Sequence, residues 1–465
     1  MNPARFACVL VVLHSAILLA ATPLPIAYQP LVPSSVPPGH KALTLTVRGS
    51  QFVAGAVVHW NGSPRKTTFI SSSQVRAAIT AKDVAKASTA SVTVVNPGGG
   101  TSNSIFFQIR VAATKVAFTL DGNVKTAGAV AVADFNHDGN TDLAVGPNSN
   151  LVDVFPGKGN GLFGSAVTSS TGLFPGSLLV AADFNNDGKP DLAVTNDNGG
   201  FFGGSIYIGN GDGTFTSPAN SGFQGQPVAM GDINADGKLD LVTVSNNFFN
   251  NFIFVYLGNG DGTFPTNTLP NLSGMISVGV AVGDFNGDGK LDMAVPSAVI
   301  GTGNVVQIYL GNGDGTFQAP VNTPTSQNFA GFAAADVNGD GILDLVADGS
   351  CVFLGKGDGT FTEKGCVTIP SGLFVTSMVL GDFNGDGKLD LLSLGSFQNT
   401  SPFNQLVLLS LGNGDGTFQK PTQISAGVLA VIPAFTGLGV GDFNNDGKLD
   451  FAVSSKNRTF VYLQK

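Results

Sequence analysis

Apolar residues in this chain come in short runs broken by clusters of Gly, Asn and Asp, and the same succession returns along most of its length. Val130-Ala131-Val132-Ala133 leads into a polar loop, and Leu143-Ala144-Val145 follows it. Val228-Ala229-Met230, Leu241-Val242-Thr243-Val244 and Phe254-Val255-Tyr256-Leu257 repeat the arrangement further on. Runs this brief, rich in β-branched and aromatic residues and bounded by turn formers, predict strands. Each unit reads as first strand, polar loop, second strand, variable loop, third strand, glycine turn and fourth strand. First strands use small residues, such as Ala334-Ala335 and Gly439-Val440, as expected where inner strands converge on an axis. Four short antiparallel strands in a unit of about 50 residues predict a propeller blade.

The polar loop carries a nine-residue motif, D-x-N-x-D-G-x-x-D, that occurs seven times with starts 46 to 60 residues apart. The first copy supplies Asp134, Asn136, Asp138 and Asp142, and the second Asp183, Asn185, Asp187 and Asp191. The third supplies Asp232, Asn234, Asp236 and Asp240, and the fourth Asp284, Asn286, Asp288 and Asp292. The fifth has Asp336, Asn338, Asp340 and Asp344, the sixth Asp382, Asn384, Asp386 and Asp390, and the seventh Asp442, Asn444, Asp446 and Asp450. Calcium takes six to eight oxygen ligands, and such a loop offers side-chain oxygens from positions 1, 3, 5 and 9 with a backbone carbonyl from position 7. Glycine at position 6 permits the sharp turn. Without a cation, the three carboxylates repel one another. The loop is not an EF-hand, because the Glu expected at position 12 is replaced by Val145 in the first copy and Val295 in the fourth. Turn chemistry alone accounts for Asp, Asn and Gly in one or two copies. It does not ask for an acid at position 9 in all seven. The expected cofactor is therefore Ca²⁺, about seven structural ions, in preference to Mg²⁺.

Composition follows from the motif. Of 31 Asp, 21 lie in the seven loops, and the net charge of −9 is mostly ligand charge. No Lys/Arg cluster points to nucleic acid. The third-to-fourth-strand turn repeats as Gly209-Asn210-Gly211-Asp212-Gly213-Thr214-Phe215 and again from Gly258, Gly311, Gly355 and Gly412. It is not a phosphate cradle, because a strand follows it and its Asp would repel the phosphate. Its Phe is expected between blades.

Residues 1–21 read as a secretory signal, with Arg5, an apolar stretch from Phe6 to about Leu19, and cleavage after Ala21 or Ala27, or else an uncleaved anchor. No other segment is apolar enough to span a membrane. Cys351 and Cys366 flank a strand, turn and strand; they are either disulfide-bonded across that hairpin or two separate thiols. Residues 28–111 show alternating strands around Leu43–Val47, Ala56–Trp60, Ser91–Val95 and Ile105–Phe107, which predict a small immunoglobulin-like β-sandwich with Trp60 in its core. The two or three residues that follow imply a stiff junction. Val461–Lys465 reads as a third strand with no fourth after it, whereas Val116–Leu120 resembles a stray fourth strand. Residues 115–120 are therefore expected to complete the last blade. The fold class is all-β: a sandwich followed by a seven-bladed β-propeller over 115–465.

With their glycine turns, the seven loops resemble the FG-GAP/VCBS repeat propellers, an architecture shared with integrin α-subunits. Leu45-Thr46-Val47-Arg48-Gly49-Ser50-Gln51-Phe52, Val58-His59-Trp60-Asn61-Gly62 and Val95-Asn96-Pro97-Gly98-Gly99 resemble an IPT/TIG domain. The resemblance implies calcium at each loop and no single activity, since such propellers serve in adhesion, as lectins and as appendages of enzymes.

Because the strands alternate in direction, the acidic loops and glycine turns share one face and the variable loops the other. The variable loops carry Phe201-Phe202, Asn246–Asn251 and Phe397–Phe403. Those rings either bind a partner or fold back over the inter-blade core. The expected function is a secreted or cell-surface binding or adhesion scaffold for an extracellular protein or a glycan. A lectin is the narrower alternative and a polysaccharide-acting hydrolase or lyase the distant one. Catalytic residues are expected to be none: after the signal only His40, His59, His137 and the single Glu363 stand beside the aspartates. His137, at position 4 of the first loop, reads as a substitution and not a proton shuttle.

Overall fold

The structure is a computed structural model describing residues 25–465 except 99, 103–104, 114–115, 147–149, 172–174, 198–201, 217–221, 248–249, 269–274, 277–278, 300–302, 326–328, 330, 349–350, 398–403, 425–428, 431–436 and 456–457. Residues 1–24, where a signal segment is expected, and much of the variable loops lie outside the described residues. Among the described residues every regular element is a strand, and no helix is long and apolar enough to cross a membrane.

Two sheets form the N-terminal domain. Leu43–Ser50 lies between Ile26–Val32 and Gln74–Ile79, with Thr67–Ser71 outside. Ser88–Val95 lies between Ile105–Ile109 and Val57–Trp60 in the second sheet. The period-2 pattern explains the layering, since Leu45 and Val47, then Val92 and Val94, all point into one buried core. Trp60 is 2% exposed in that core and packs against Phe107 with ring centroids 5.1 Å apart.

Seven further sheets follow among the described residues. In the first, Ala129–Ala133, Asp142–Gly146, Leu151–Phe155 and Val167–Ser170 pair in chain order. Asp142 sits opposite Ala133, so the ninth motif residue opens the second strand. The last sheet draws on both ends of the region: Leu438–Gly441, Asp450–Ser455 and Arg458–Gln464 are completed by Phe118–Val124, antiparallel to Arg458–Gln464. Each sheet packs face to face on the next. Val152 and Val154 of the first share a buried cluster with Leu192 and Val194 of the second, and Leu143 and Val145 share another with Ala452 and Val461 of the last. The succession closes into a ring.

Aromatic pairs reinforce the joints. The Phe at motif position 2 meets the glycine-turn Phe of the following sheet edge to face, as Phe135 with Phe215, Phe184 with Phe264 and Phe285 with Phe361, at 5.5 to 6.0 Å. Phe443 of the last sheet meets Phe163 of the first at 5.7 Å. Phe118 fills the same role against Phe383, where the last sheet has no glycine turn. Such pairs contribute about 0.5–1.5 kcal/mol each beyond area burial. Cys351 and Cys366 face each other across a hairpin and are disulfide-bonded.

Candidate metal centres

All seven loops share one hydrogen-bond pattern. In the first, Asp138 N donates to Asp134 Oδ1 at 3.1 Å and to Asn136 Oδ1 at 2.9 Å, while Gly139 N donates to Asp134 Oδ2 at 2.9 Å. Asn140 N then donates to Asp138 Oδ1 at 2.8 Å. The other six repeat these bonds, for example on Asp232, Asn234 and Asp236 in the third and on Asp442, Asn444 and Asp446 in the seventh. Side-chain oxygens from positions 1 and 3 thus lie within hydrogen-bond distance of one backbone nitrogen.

This closure needs two left-handed residues, at positions 4 and 6. Position 6 is Gly throughout, with φ near +80° to +90°, as at Gly139 (86°) and Gly341 (90°). Position 4 is left-handed as well: His137 (57°), Asn186 (61°), Ala235 (57°) and Asn445 (57°), with Gly287, Gly339 and Gly385 in the remaining loops. That backbone demand accounts for the residues at position 4, since Gly, Asn and His tolerate positive φ better than most. His137 occupies a turn position.

Position 9 behaves differently from the rest of the motif. Asp142 Oδ2 accepts from Phe135 N at 2.9 Å and Asn136 N at 3.2 Å, and Oδ1 accepts from Gly157 N at 2.7 Å. The carboxylate braces its own loop against the following glycine turn. Gly209, Gly258, Gly311, Gly355 and Gly412 receive the same brace, and Gln464 N takes that place on Asp450. The turn must begin with Gly because a Cβ at Gly209 would lie 2.1 Å from Pro190 O. Every ninth-position Asp is fully buried. Burial, and then the neighbouring carboxylates of positions 1 and 5, pushes Asp142, Asp292 and Asp344 up to about 6 and Asp191, Asp240 and Asp450 up to about 7. Asp390 is also raised to about 7.

The structure therefore gathers positions 1, 3 and 5 and ties position 9 to the backbone beside them. Among the described residues, no three His, Cys, Asp or Glu side chains are grouped to hold a metal ion by themselves. Carboxylates of positions 1 and 5, the Asn amide oxygen and backbone carbonyls make an all-oxygen donor set, which fits a hard divalent cation and suits no soft metal.

The FG-GAP-like repeat matches residues 134–194, 183–243, 232–295, 298–347, 348–393 and 398–453, well over half of the sequence. The chain belongs to the FG-GAP-like repeat family. Residues 29–109 match the IPT/TIG domain, so this FG-GAP-like protein carries an IPT/TIG domain before its repeats. No curated protein matches it. Among solved structures, BBS1N in complex with ARL6DN is 13% identical with a TM-score of 0.46, covering 76% of this chain and 98% of that one. An auxiliary nutrient binding protein from Bacteroides ovatus is 11% identical with a TM-score of 0.35, covering 96% and 99%. A six-bladed fungal lectin from Aleuria aurantia is 14% identical with a TM-score of 0.39, covering 61% and 89%. At these scores they bear on neither partner nor ligand.

The IPT/TIG domain sits on the loop face of the repeats. Ser35 Oγ donates to Asp382 Oδ2 at 2.5 Å, Gln51 Nε2 to Asn186 Oδ1 at 2.9 Å, and Arg110 Nη2 to Phe383 O at 2.9 Å. Arg48 Nη2 lies 3.4 Å from Gly341 O and lines a cavity of about 240 Å³ with Asp284, Asp336, Met230 and Val282, where first strands of three sheets end. Burial lowers Arg48 from its ordinary value, and Asp336 and Asp284 oppose that shift. Arg48 and Arg110 make contacts between the domains that the motif-based reading passed over. One signal was available: residues 25–111 hold eight Lys and Arg against Asp83 alone, whereas residues 112–465 hold 14 against 31 acids. Opposite charge on the two parts favours their contact.

Proposed function

We propose that this FG-GAP-like protein is a secreted or cell-surface binding scaffold whose loops hold structural Ca²⁺. The observation that carries the reading is the sevenfold recurrence of one oxygen-lined loop, down to the left-handed backbone at positions 4 and 6. Asp134, Asn136 and Asp138 and their counterparts in the other six loops would hold each ion, with the seventh-position carbonyl. The ninth Asp would add its charge from the bracing position. An ion would offset the mutual repulsion of each loop's carboxylates. FG-GAP-like repeats with an IPT/TIG domain suit a binding protein.

With the IPT/TIG domain on the loop face, the opposite rim is left for an extracellular protein or a glycan. Variable loops on a rigid scaffold are the usual place for recognition. If each site stood at ten times its dissociation constant it would contribute about 1.4 kcal/mol, and seven together roughly 10 kcal/mol, comparable with total domain stability. The test is thermal unfolding of the purified protein in Ca²⁺ and in chelator. A fall in Tm of ten degrees or more on chelation supports the reading, and superimposable melts remove it.

A further inference from the structure

We propose that ion loading and docking of the IPT/TIG domain are one coupled equilibrium: Arg48 and Arg110 clamp the domain onto loaded loops, and the clamp opens when the ions leave. The inference rests on the calcium reading above and extends it to the relation between the two domains.

The contacts fall on atoms that stay in place only while a loop is folded. Arg48 reaches the carbonyl of Gly341 at position 6, Arg110 that of Phe383 at position 2, and Ala113 N donates to Asn384 O at position 3 at 2.7 Å. Gly341 holds φ of 90°, and Gly385, beside the Phe383 and Asn384 acceptors, holds 75°. The fit is close: a Cβ on Gly387 would lie 2.9 Å from Ser35 O, and one on Gly385 would lie 2.1 Å from Arg110 Nε. A loop that opens under the mutual repulsion of its carboxylates withdraws these acceptors together.

Charge alone weakens the attraction on loading without reversing its sign. Five loops carry Lys at position 7, namely Lys189, Lys238, Lys290, Lys388 and Lys448. In four of them the ammonium lies 2.9 to 3.9 Å from the fifth-position Asp. The first loop has Asn140 and the fifth Ile342 instead. Arg48, with Asp336, Asp284 and Asp344 in its field, supplies from the other domain the cation the fifth loop lacks. Three carboxylates around one Ca²⁺ still sum to −1, so the guanidinium is attracted to the loaded loop as well as to the empty one. Loading therefore fixes the acceptors without repelling the clamp.

The sixth loop shows why Arg110 matters. In four of the other loops a glycine-turn N–H of the next sheet donates to the position-2 carbonyl, as Gly213 to Phe135 at 3.1 Å and Gly262 to Phe184 at 3.2 Å. The last sheet has no such turn, and Phe383 O accepts from Arg110 and Gln464 instead.

The test compares wild type, Arg48→Gln, Arg110→Gln and the charge-preserving Arg48→Lys by small-angle X-ray scattering in Ca²⁺ and in chelator, with calorimetric Ca²⁺ titration of each. Emission of Trp60, the sole tryptophan and buried in the IPT/TIG core, confirms in every sample that this domain is folded. The expected result is a wild type that is compact in Ca²⁺ and extended in chelator. The two Gln variants should be extended even in Ca²⁺ and at least five-fold weaker at a subset of sites, because coupling is reciprocal. Arg48→Lys should recover most of both. A wild type that stays compact after calorimetry shows its ions gone would overturn the coupling, as would Gln variants that separate the domains with unchanged ion affinity. Should a Gln variant unfold, the wild-type comparison alone decides. Absence of any binding heat in the wild type would sink the calcium reading itself, and the coupling with it.

Discussion

Three glycines at the same motif position offer a controlled test of the domain contact. Gly287, Gly339 and Gly385 all stand at position 4, with φ of 76°, 79° and 75°. An alanine at any of them meets the same left-handed penalty, about 1–2 kcal/mol, partly offset by the lower entropy of its unfolded chain. A net loss near 1 kcal/mol is expected for Gly287→Ala and Gly339→Ala, because nothing lies within 4 Å of either added Cβ. At Gly385 the added carbon would meet Arg110 Nε at 2.1 Å and Cζ at 2.7 Å. Arg110 would have to swing away and release Phe383 O, a bond from a charged donor worth about 1.5–3 kcal/mol. Gly385→Ala should therefore lose roughly 3 kcal/mol, two to three times as much as its counterparts. Urea unfolding followed by circular dichroism, at one Ca²⁺ concentration for all four proteins, gives the comparison. Three variants within about 0.5 kcal/mol of one another would refute the view that Arg110 holds the sixth loop.

Other consequences can be checked singly. Ala235 is the one fourth-position residue outside Gly, Asn and His, with φ of 57°, so Ala235→Gly should stabilise the protein by about 0.5–1 kcal/mol in the same assay. In ion-free protein, the ninth-position carboxylates near 7 in Asp191, Asp240 and Asp450 bind protons more readily folded than unfolded. Stability of that form should thus fall as pH rises from about 4 to 7 and level off above it; a metal-free melt that improves over that interval would contradict the burial argument. Cys351→Ser with Cys366→Ser removes a bridge closing a short hairpin and should cost about 2–3 kcal/mol by denaturant unfolding, with the other sheets intact.

Much of the architecture was legible because the repeat wrote it seven times. Small first strands, Asp-lined loops and a glycine turn followed by Phe have local causes, and the structure keeps them together. The role of position 9 was not legible. An acid there reads as a ligand from spacing alone, whereas Asp142 turns its oxygens onto the N–H groups of Phe135 and Gly157. Only the pairing of sheets reveals that brace. The backbone demand at position 4 was hidden for a related reason: His137 reads in sequence only as a substitution, whereas all seven backbones are left-handed there. The seat of the IPT/TIG domain escaped because contacts such as Arg48 to Gly341 and Arg110 to Phe383 link residues more than 270 positions apart. Periodicity carries no information about them, although the charge imbalance between the two parts did.

Calorimetric titration of Ca²⁺ into metal-stripped protein bears most directly on the central claim. The account predicts binding heats that saturate at about seven ions per chain, one for each repeated loop, with loss of affinity at one site when Asp236 is replaced by Ala. A flat titration at millimolar Ca²⁺, or the same stoichiometry in Asp236→Ala, would contradict it.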